Sequence, residues 1–239
     1  MKDTKLASRH PILARLPDRL LLSQVVCAVG RWRLRICCAI AIPLVWLSFL
    51  TLGQSSFAFE SQWLEWLDVH VPGWLKAFTS LTFYAGNSEV SAVVVAIALV
   101  LLARQKRWLD LGTLAIAAAG SLIWVDWVFK PWFAKDRPPL SHIEAIAGDA
   151  FPSGHATGNL MLYLFLAYLL SEHFPRWRGL FYGLAIALLL AMGLGSMVLR
   201  AHWPTDVLAG YGFGFIWLTA CLGVMRWLKC ASSAAAERG

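Results

Sequence analysis

Apolar residues occur in six long runs, and short stretches between the runs carry most of the charges. Each run has about the 17–25 residues that a helix needs to cross the hydrocarbon core of a bilayer. The runs cover residues 36–53, 85–103, 109–129, 156–172, 179–199 and 207–228. This pattern predicts an all-α polytopic membrane protein, a bundle of six transmembrane helices.

The composition supports this interpretation. Of the 239 residues, 59% are hydrophobic and only 15% are charged, whereas a soluble domain carries about 25% charged residues. These values exclude a disordered chain and most water-soluble folds. The net charge of +7 could indicate nucleic-acid binding, but Lys and Arg lie in short clusters between apolar runs. We therefore interpret them as topology signals and expect no nucleic-acid partner.

The distribution of basic residues predicts the orientation. With the N-terminus inside, the inner segments hold 16 Lys and Arg and the outer segments hold 5. The positive-inside rule then predicts that both termini are cytoplasmic. We divide the chain into a basic cytoplasmic segment 1–35, a membrane domain 36–230 and a cytoplasmic tail 231–239. The outer segment after the first run is rich in Trp and acidic residues, which predicts an interfacial helix.

Three polar groups fall on the outer side of this topology. Ionisable residues at the ends of spans often reach harmlessly toward water, but three groups on one face indicate a site. The groups are Lys130 with Arg137-Pro138, the block Pro152-Ser153-Gly154-His155, and the block His202-Trp203-Pro204-Thr205-Asp206.

The first two groups are suited to binding an anion. Lys130 and Arg137 supply fixed positive charges, and a guanidinium can hold two phosphate oxygens at once. Ser153 and Gly154 lie where the fourth helix should begin, so free backbone N–H groups and a side chain of minimal size form a cradle there.

The histidines supply candidate reactive groups. His202 and Asp206 are four residues apart and share a face of a helix, so the carboxylate could fix one imidazole nitrogen as N–H and leave the other as a nucleophile. His155 could protonate a leaving oxygen. We expect Asp126, four residues before Lys130, to pair with it, because an acid within a span is usually paired. This inventory suits phosphoryl transfer.

Two other interpretations fit some of the same residues. A divalent metal could be held by His155, His202, Asp206 and His142, although the neighbouring cationic side chains oppose a cation there. Alternatively, the charged residues form ion pairs that only pin helix ends together.

The three blocks resemble the type 2 phosphatidic acid phosphatase (PAP2) superfamily, whose pattern is KxxxxxxRP, PSGH and SRxxxxxHxxxD. The match runs from Lys130 to Asp206. The resemblance implies a six-helix fold with a catalytic core at 109–228. It also implies a membrane lipid phosphatase without a metal or other cofactor. By the same resemblance, His202 forms a phosphohistidine, Asp206 orients it and His155 is the acid.

The resemblance assigns phosphate binding to Lys130, Arg137, Ser153 and Gly154. The sequence departs from the pattern at the SR pair, which falls on Gly195 and Ser196, so one phosphate-binding Arg is missing. We hypothesise that Arg200, one turn later on a continuous helix, replaces it. The alternative is an enzyme with reduced activity or an altered substrate.

The expected protein is an integral lipid phosphatase whose site lies at the outer face of a bacterial cytoplasmic membrane. Its partners are the bilayer and a lipid phosphate or diphosphate, and the apolar helices hold the lipid tail. An outward-facing site favours undecaprenyl diphosphate, with phosphatidylglycerol phosphate, phosphatidic acid and lipid A as rivals. A lipid phosphotransferase and a weakened lipid-phosphate binder are the alternative classes, and the sequence predicts no oligomeric state.

Overall fold

The computed structural model describes residues 30–54, 56–139 and 148–236, and in these ranges the only regular structure is helical. The side chains of residues 31 and 231–236 are not described. The predicted all-α class is confirmed. The long helices are α1 Arg31–Thr51, α2 Ala58–His70, α3 Gly73–Ala85, α4 Ser88–Arg104, α5 Trp108–Phe133, α6 Gly154–His173, α7 Arg178–Val198 and α8 Pro204–Ala236. A single 3₁₀ turn, Pro175–Trp177, leads into α7.

Among the described residues, fewer than the six predicted membrane-spanning helices are found when helices are selected only by length and apolar character. Four helices meet both conditions within the described residues, and α3 and α4 would add a fifth as one pair bent by 54°. Helix α4 alone has 17 residues and is about 26 Å long, against about 30 Å of hydrocarbon. Helix α6 carries polar residues in its first turns. The count of six spans is therefore not reproduced by these criteria.

Several boundaries differ from the predicted ones. Helix α1 begins at Arg31, five residues before the predicted span, and the rest of the basic segment lies outside the described residues. Helix α8 continues to Ala236, so it includes most of the stretch predicted as a tail. The outer segment contains two helices, α2 and α3, where one was expected. Trp63 and Trp66 of α2 are exposed, as an interfacial helix requires.

Helix α6 is the centre of the bundle and packs against α8, α7, α5 and α4. Its buried Phe165 lies in a core cluster with Leu114 and Ala117 of α5. Helix α3 packs along α7. The approach is close at Gly195, where an added Cβ would lie 2.1 Å from the carbonyl oxygen of Thr79. Only a glycine allows this packing.

The C-terminal end of α5 is irregular. Residues Ile123–Phe129 form a π-helical segment, which is followed by a last α-helical turn over Lys130–Phe133. Pro131 lacks the N–H that a regular helix would use at this position, and widened turns of this kind are frequent at functional sites. The segment positions Asp126 and Lys130 next to the N-terminus of α6, close to Gly154.

Candidate active site

The three polar blocks meet where α5 ends and where α6 and α8 begin. A cavity of about 810 Å³ opens there. Polar and charged residues from all three blocks line one end of it. These residues are Asp126, Lys130, Arg137, Gly154, His155 and His202. The structure therefore brings together most of the site residues that the sequence predicts.

His202 lies in the short loop between α7 and α8 and is almost completely buried. Its Nδ1 is 3.0 Å from the carbonyl oxygen of Ala150, so Nδ1 carries the proton and donates to that oxygen. Its Nε2 is on the side of the ring toward the cavity and lies 3.4 Å from a guanidinium nitrogen of Arg137. Burial lowers the pKa of His202 below its ordinary value. The imidazole is therefore neutral at pH 7, with the Nε2 lone pair available.

The prediction that Asp206 forms a hydrogen bond with the His202 ring is wrong. The nearest carboxylate oxygen is 3.7 Å from Nδ1, which is too long for a hydrogen bond. That oxygen, Oδ2, accepts from the backbone N–H of Trp203 at 2.9 Å, while Oδ1 accepts from Lys135 at 2.9 Å. Because Asp206 lies in the first turn of α8, its carboxylate is used to cap that turn. Its influence on the imidazole is electrostatic.

His155 lies in the first turn of α6 and lines the cavity. Its ring stacks on Phe83, with 4.3 Å between the ring centroids. Its Nε2 is buried and has no hydrogen-bond partner among the described residues. A buried polar nitrogen without a partner is costly, so a group that enters the cavity and hydrogen-bonds to it would be favoured there.

The predicted pairing of Asp126 with Lys130 is present. The Lys130 Nζ donates to Asp126 Oδ1 at 2.5 Å, and both side chains are partly accessible to solvent. An added Cβ at Gly154 would lie 3.8 Å from this Nζ. The ammonium group thus faces the first turn of α6, where N–H groups are unpaired.

Arg137 is held by backbone carbonyl groups. Its Nε donates to Gly148 at 2.9 Å, and Nη1 donates to Ala201 at 2.8 Å. These contacts connect the segment after α5 with the loop that carries His202. The guanidinium is therefore fixed beside Nε2 of His202, where an anion would need it.

Ser153 does not line the cavity. It is completely buried, and its hydroxyl accepts a hydrogen bond from the N–H of Ala156 at 3.2 Å. This is the N-cap position of α6, where Ser is strongly preferred. The hydroxyl of Ser153 thus caps the first turn of α6, and the predicted anion cradle is left to the backbone N–H groups near Gly154.

The proposed substitution of Arg200 for the missing motif Arg is also contradicted. Helix α7 ends at Val198, and Arg200 has a left-handed backbone with φ of 53°, so the assumed continuous helix does not exist. Arg200 pairs with Asp68 of α2 at 2.5 Å and does not line the cavity. The hydroxyl of Ser196, at the motif position itself, donates to Gly193 at 2.7 Å.

Sequence reasoning missed two buried charged residues beside the site. Lys135 is fully buried and contacts Asp206, Thr205 and Glu60 through its Nζ. Glu60, in the first turn of α2, is also fully buried. The signal available for Lys135 was its position between Lys130 and Arg137, and no local pattern marked Glu60 as its partner.

His142, one of the four residues of the metal interpretation, lies outside the described residues. Within ranges 30–54, 56–139 and 148–236, no group of three or more His, Cys, Asp or Glu side chains could hold an ion. His155, His202 and Asp206 therefore do not form such a group.

Comparison with known proteins identifies the family. The PAP2 superfamily model matches residues 112–230, which contain all three polar blocks. Phosphatidylglycerophosphatase B of Bacillus subtilis is 26% identical over 147 residues, covering 60% of this chain and 71% of that protein. The chain belongs to the PAP2 superfamily. It is a PAP2-type membrane phosphatase, and the predicted resemblance is confirmed.

Other PAP2 proteins support the fold. The crystal structure of a transmembrane PAP2-type phosphatidylglycerolphosphate phosphatase from Bacillus subtilis superposes with a TM-score of 0.68 and 21% identity. The match covers 79% of this PAP2 chain and 94% of that one. A lipid A 1-phosphatase of Rhizobium etli is 41% identical over 76 residues, which are 31% of this chain and 29% of that protein.

Proposed function

We propose that this PAP2 enzyme hydrolyses a phosphate monoester or diphosphate carried by a membrane lipid, without a metal ion, through a phosphohistidine on His202. The observation that carries the proposal is the common cavity of His202 and His155, with Lys130 and Arg137 beside them. A neutral imidazole, a second imidazole and two cations in one cavity match the requirements of phosphoryl transfer.

In the first step, the Nε2 lone pair of His202 attacks phosphorus and the bond from phosphorus to the lipid-side oxygen breaks. The bound phosphate anion favours the protonated form of His155, and this imidazolium donates its proton to that leaving oxygen. In the second step, His155 takes a proton from water, the oxygen of that water attacks phosphorus, and the phosphorus–nitrogen bond breaks. Arg137, Lys130 and the N–H groups near Gly154 bind the phosphate oxygens in both steps.

The rest of the cavity is suited to a lipid tail. Beyond the charged end, its walls are small or apolar side chains of α4, α5 and α6. These include Ala92, Val95, Ala96, Leu99, Leu122, Met161 and Leu162. A headgroup bound at the charged end would leave its hydrocarbon chain among these residues, where apolar burial stabilises it.

The identity of the lipid is a narrower proposal. With both termini in the cytoplasm, the site faces the periplasm or exterior of a bacterium, and undecaprenyl diphosphate is the first candidate substrate. The relative named phosphatidylglycerophosphatase B favours phosphatidylglycerol phosphate as the second candidate. Both substrates present a terminal phosphate on a lipid anchor, so the same cavity suits either.

The test is phosphate release by purified protein in detergent across a lipid panel, measured with and without EDTA. The panel contains undecaprenyl diphosphate, phosphatidylglycerol phosphate, phosphatidic acid and lipid A. We expect turnover of at least one lipid by the wild type and loss of turnover in His202→Ala. Loss of phosphate from the donor lipid only when a second lipid is added, with the phosphoryl group recovered on that acceptor, would indicate a transferase. Phosphate release that is abolished by EDTA would contradict the metal-independent mechanism.

A pair of variants tests the assignment of the tail region. Ala96→Phe fills the cavity wall, whereas Val93→Phe alters an exposed position on the same helix and serves as the control. We expect Ala96→Phe to raise KM for the long-chain lipid but not for a short-chain lipid phosphate. Equal behaviour of both variants on both lipids would contradict the placement of the tail.

A further inference from the structure

A buried cluster of charged residues lies behind the site, on the side of His202 that faces away from the cavity. The Nζ of Lys135 donates to Asp206 Oδ1 at 2.9 Å, to Thr205 Oγ1 at 2.9 Å and to Glu60 Oε1 at 3.2 Å. The side chains of Lys135, Glu60 and Asp206 are all fully buried. A fully buried lysine is rare and must be paired.

Glu60 connects this cluster to two helix N-termini. Its Oε2 accepts from the N–H of Phe57 at 2.8 Å, at the start of α2. Its Oε1 accepts from the N–H of Thr205 at 3.3 Å and from the Thr205 hydroxyl, at the start of α8. Both carboxylate oxygens therefore accept hydrogen bonds, from two helix N-termini and from Lys135.

Lys135 also reaches His202 through the main chain. The carbonyl oxygen of Lys135 accepts from the N–H of Ala150 at 2.8 Å. The carbonyl oxygen of Ala150 in turn accepts from Nδ1 of His202. One residue thus holds both groups that face the Nδ1 side of the imidazole: the Ala150 carbonyl through its backbone and the Asp206 carboxylate through its side chain.

The three formal charges of the cluster sum to −1 on the Nδ1 side of the imidazole. Lys135 contributes +1, and Glu60 and Asp206 contribute −1 each. Three aromatic rings, those of Phe57, Phe151 and Trp203, lie within 6.0 Å of the ammonium group. These rings exclude water, so the charges are weakly screened. Without Glu60, the ammonium group would cancel the field of Asp206 at His202.

We propose that Lys135 and Glu60 are positioning residues: together they fix Asp206 and Ala150 around His202 and keep a net negative charge on its Nδ1 side. This inference rests on the proposed function, because the ring of His202 becomes positively charged while it carries the phosphoryl group. The other charged and titratable groups that face His202 are Arg137 of the following segment, Lys130 of α5 and His155 of α6.

Two substitutions of Glu60 separate charge from contact. Glu60→Gln keeps the length of the side chain and removes its charge, whereas Glu60→Asp keeps the charge and shortens the contacts. Glu65→Gln, at an exposed position of the same helix, is the matched control. All three are compared with the wild type in kcat, KM and the pH at which activity is half-maximal on the acid side.

Removal of the Glu60 charge makes the cluster neutral, so protonation of His202 and the charged phosphohistidine are both less favoured. We expect Glu60→Gln to lower kcat about tenfold with little change in KM. We also expect the acid side of its pH profile to move about one pH unit lower. Glu60→Asp and Glu65→Gln should keep the wild-type pH profile. A folded Glu60→Gln protein with wild-type kcat and pH profile overturns the inference, and so does an equal pH shift in Glu60→Asp.

Glu60→Gln removes one carboxylate partner of the buried ammonium group of Lys135. If this single variant does not fold, a double variant still tests the inference. Glu60→Gln/Lys135→Met removes both charges and restores the net charge of −1 on Asp206. We expect this protein to regain the acid-side pH value of Glu65→Gln, because the net charge beside His202 is restored, while kcat stays lower because the Lys135 contact that fixes Asp206 is lost. A folded double variant that keeps the pH shift of Glu60→Gln overturns the inference, because charge balance would then not be what the pair supplies.

Different experimental results would contradict the proposed function and the inference. Absence of His202-dependent phosphate release in the wild type contradicts the proposed function. The titration of the His202 ring, followed by NMR of ¹⁵N-histidine-labelled protein, does not require activity. A His202 pKa that is equal in the wild type and Glu60→Gln contradicts the inference alone.

Discussion

The Nδ1 atom of His202 lies 3.0 Å from the carbonyl oxygen of Ala150 and 3.7 Å from the carboxylate of Asp206. A backbone carbonyl can only accept, so this contact fixes the Nδ1–H tautomer by itself. The reactive lone pair is then on Nε2, toward the cavity. The carboxylate acts over a longer distance, as a charge that favours a positively charged ring.

This arrangement predicts a moderate effect of Asp206→Asn. Where a carboxylate alone sets the tautomer, as in serine proteases, the equivalent change costs about 10⁴-fold in kcat. Here we expect a loss of about 10²-fold, because the tautomer is retained while the charge and one of the two hydrogen bonds accepted by Asp206 are lost. Steady-state kinetics on a lipid phosphate measures the loss.

The same variant can be examined by ¹⁵N NMR of the His202 ring. The Nδ1–H tautomer should persist in Asp206→Asn. A switch to Nε2–H, or a loss of about 10⁴-fold in kcat, would show that the carboxylate and not Ala150 sets the tautomer.

The pH dependence follows from the burial of His202, which lowers its pKa from the ordinary value of 6.5. Activity should fall on the alkaline side as His155 loses the proton that it donates, whereas on the acid side it should rise with pH through a value below 6.5, because His202 must lose its proton to attack. The unfolded chain takes up this proton below pH 6.5 and the folded chain does not. The free energy of unfolding should therefore decrease as the pH falls below that value.

Two measurements examine this pH dependence. The pH profile of kcat/KM should be corrected for ionisation of the substrate phosphate, and thermal unfolding should be followed from pH 7.5 to 5. His202→Gln should show a weaker decrease in unfolding temperature at acid pH. A half-maximal activity on the acid side that lies above pH 6.5 would contradict the prediction.

Gly154→Ala is predicted to affect binding but not folding. An added Cβ would have ordinary contacts, 3.4 Å from Val125 and 3.8 Å from the Nζ of Lys130, so the empty protein tolerates it. The methyl group would occupy the space between the ammonium group and the N-terminus of α6, where we place the phosphate. We expect an unchanged unfolding temperature and a decrease in kcat/KM of about tenfold or more.

Gly179→Ala is the control for this substitution, because its added Cβ meets nothing within 4 Å and lies outside the cavity lining. The two variants should have similar stability and different activity. Similar kcat/KM values in Gly154→Ala, Gly179→Ala and the wild type would place the phosphate elsewhere.

Arg200→Ala should leave catalysis nearly intact. Arg200 pairs with Asp68 outside the cavity, and a partly exposed ion pair contributes about 1 kcal/mol or less to stability. We expect kcat/KM within about threefold of the wild type, whereas Arg137→Ala should lose about a hundredfold or more. A loss in Arg200→Ala comparable to that in Arg137→Ala would restore the hypothesis that Arg200 binds phosphate.

The sequence predicted the contacts between residues that are close in the chain and the meeting of the three motif blocks. The spacing of four residues between Asp126 and Lys130 predicted their ion pair, because such residues are neighbours on a helix. The motif blocks predicted that His155 and His202 share one cavity. These successes depend on helical periodicity and on the order of the blocks along the chain.

The failures concern helix ends and long-range contacts. The argument for Arg200 assumed a helix that in fact ends at Val198, and helix boundaries are the weakest part of sequence reasoning. Ser153 was predicted to bind phosphate, but it is fully buried outside the cavity lining, and its hydroxyl caps α6. Lys135 was counted among the five outer basic residues but was given no role, and its partner Glu60 is brought to it only by the tertiary fold.

The central claim is that the phosphoryl group passes through Nε2 of His202. The most direct measurement is an alkaline quench of the enzyme during turnover of a lipid phosphate, followed by mass spectrometry of its peptides. The account predicts a phosphorylated His202 in the wild type, and neither label nor turnover in His202→Ala. Continued turnover by His202→Ala, or a phosphoryl group on a different residue, would contradict it.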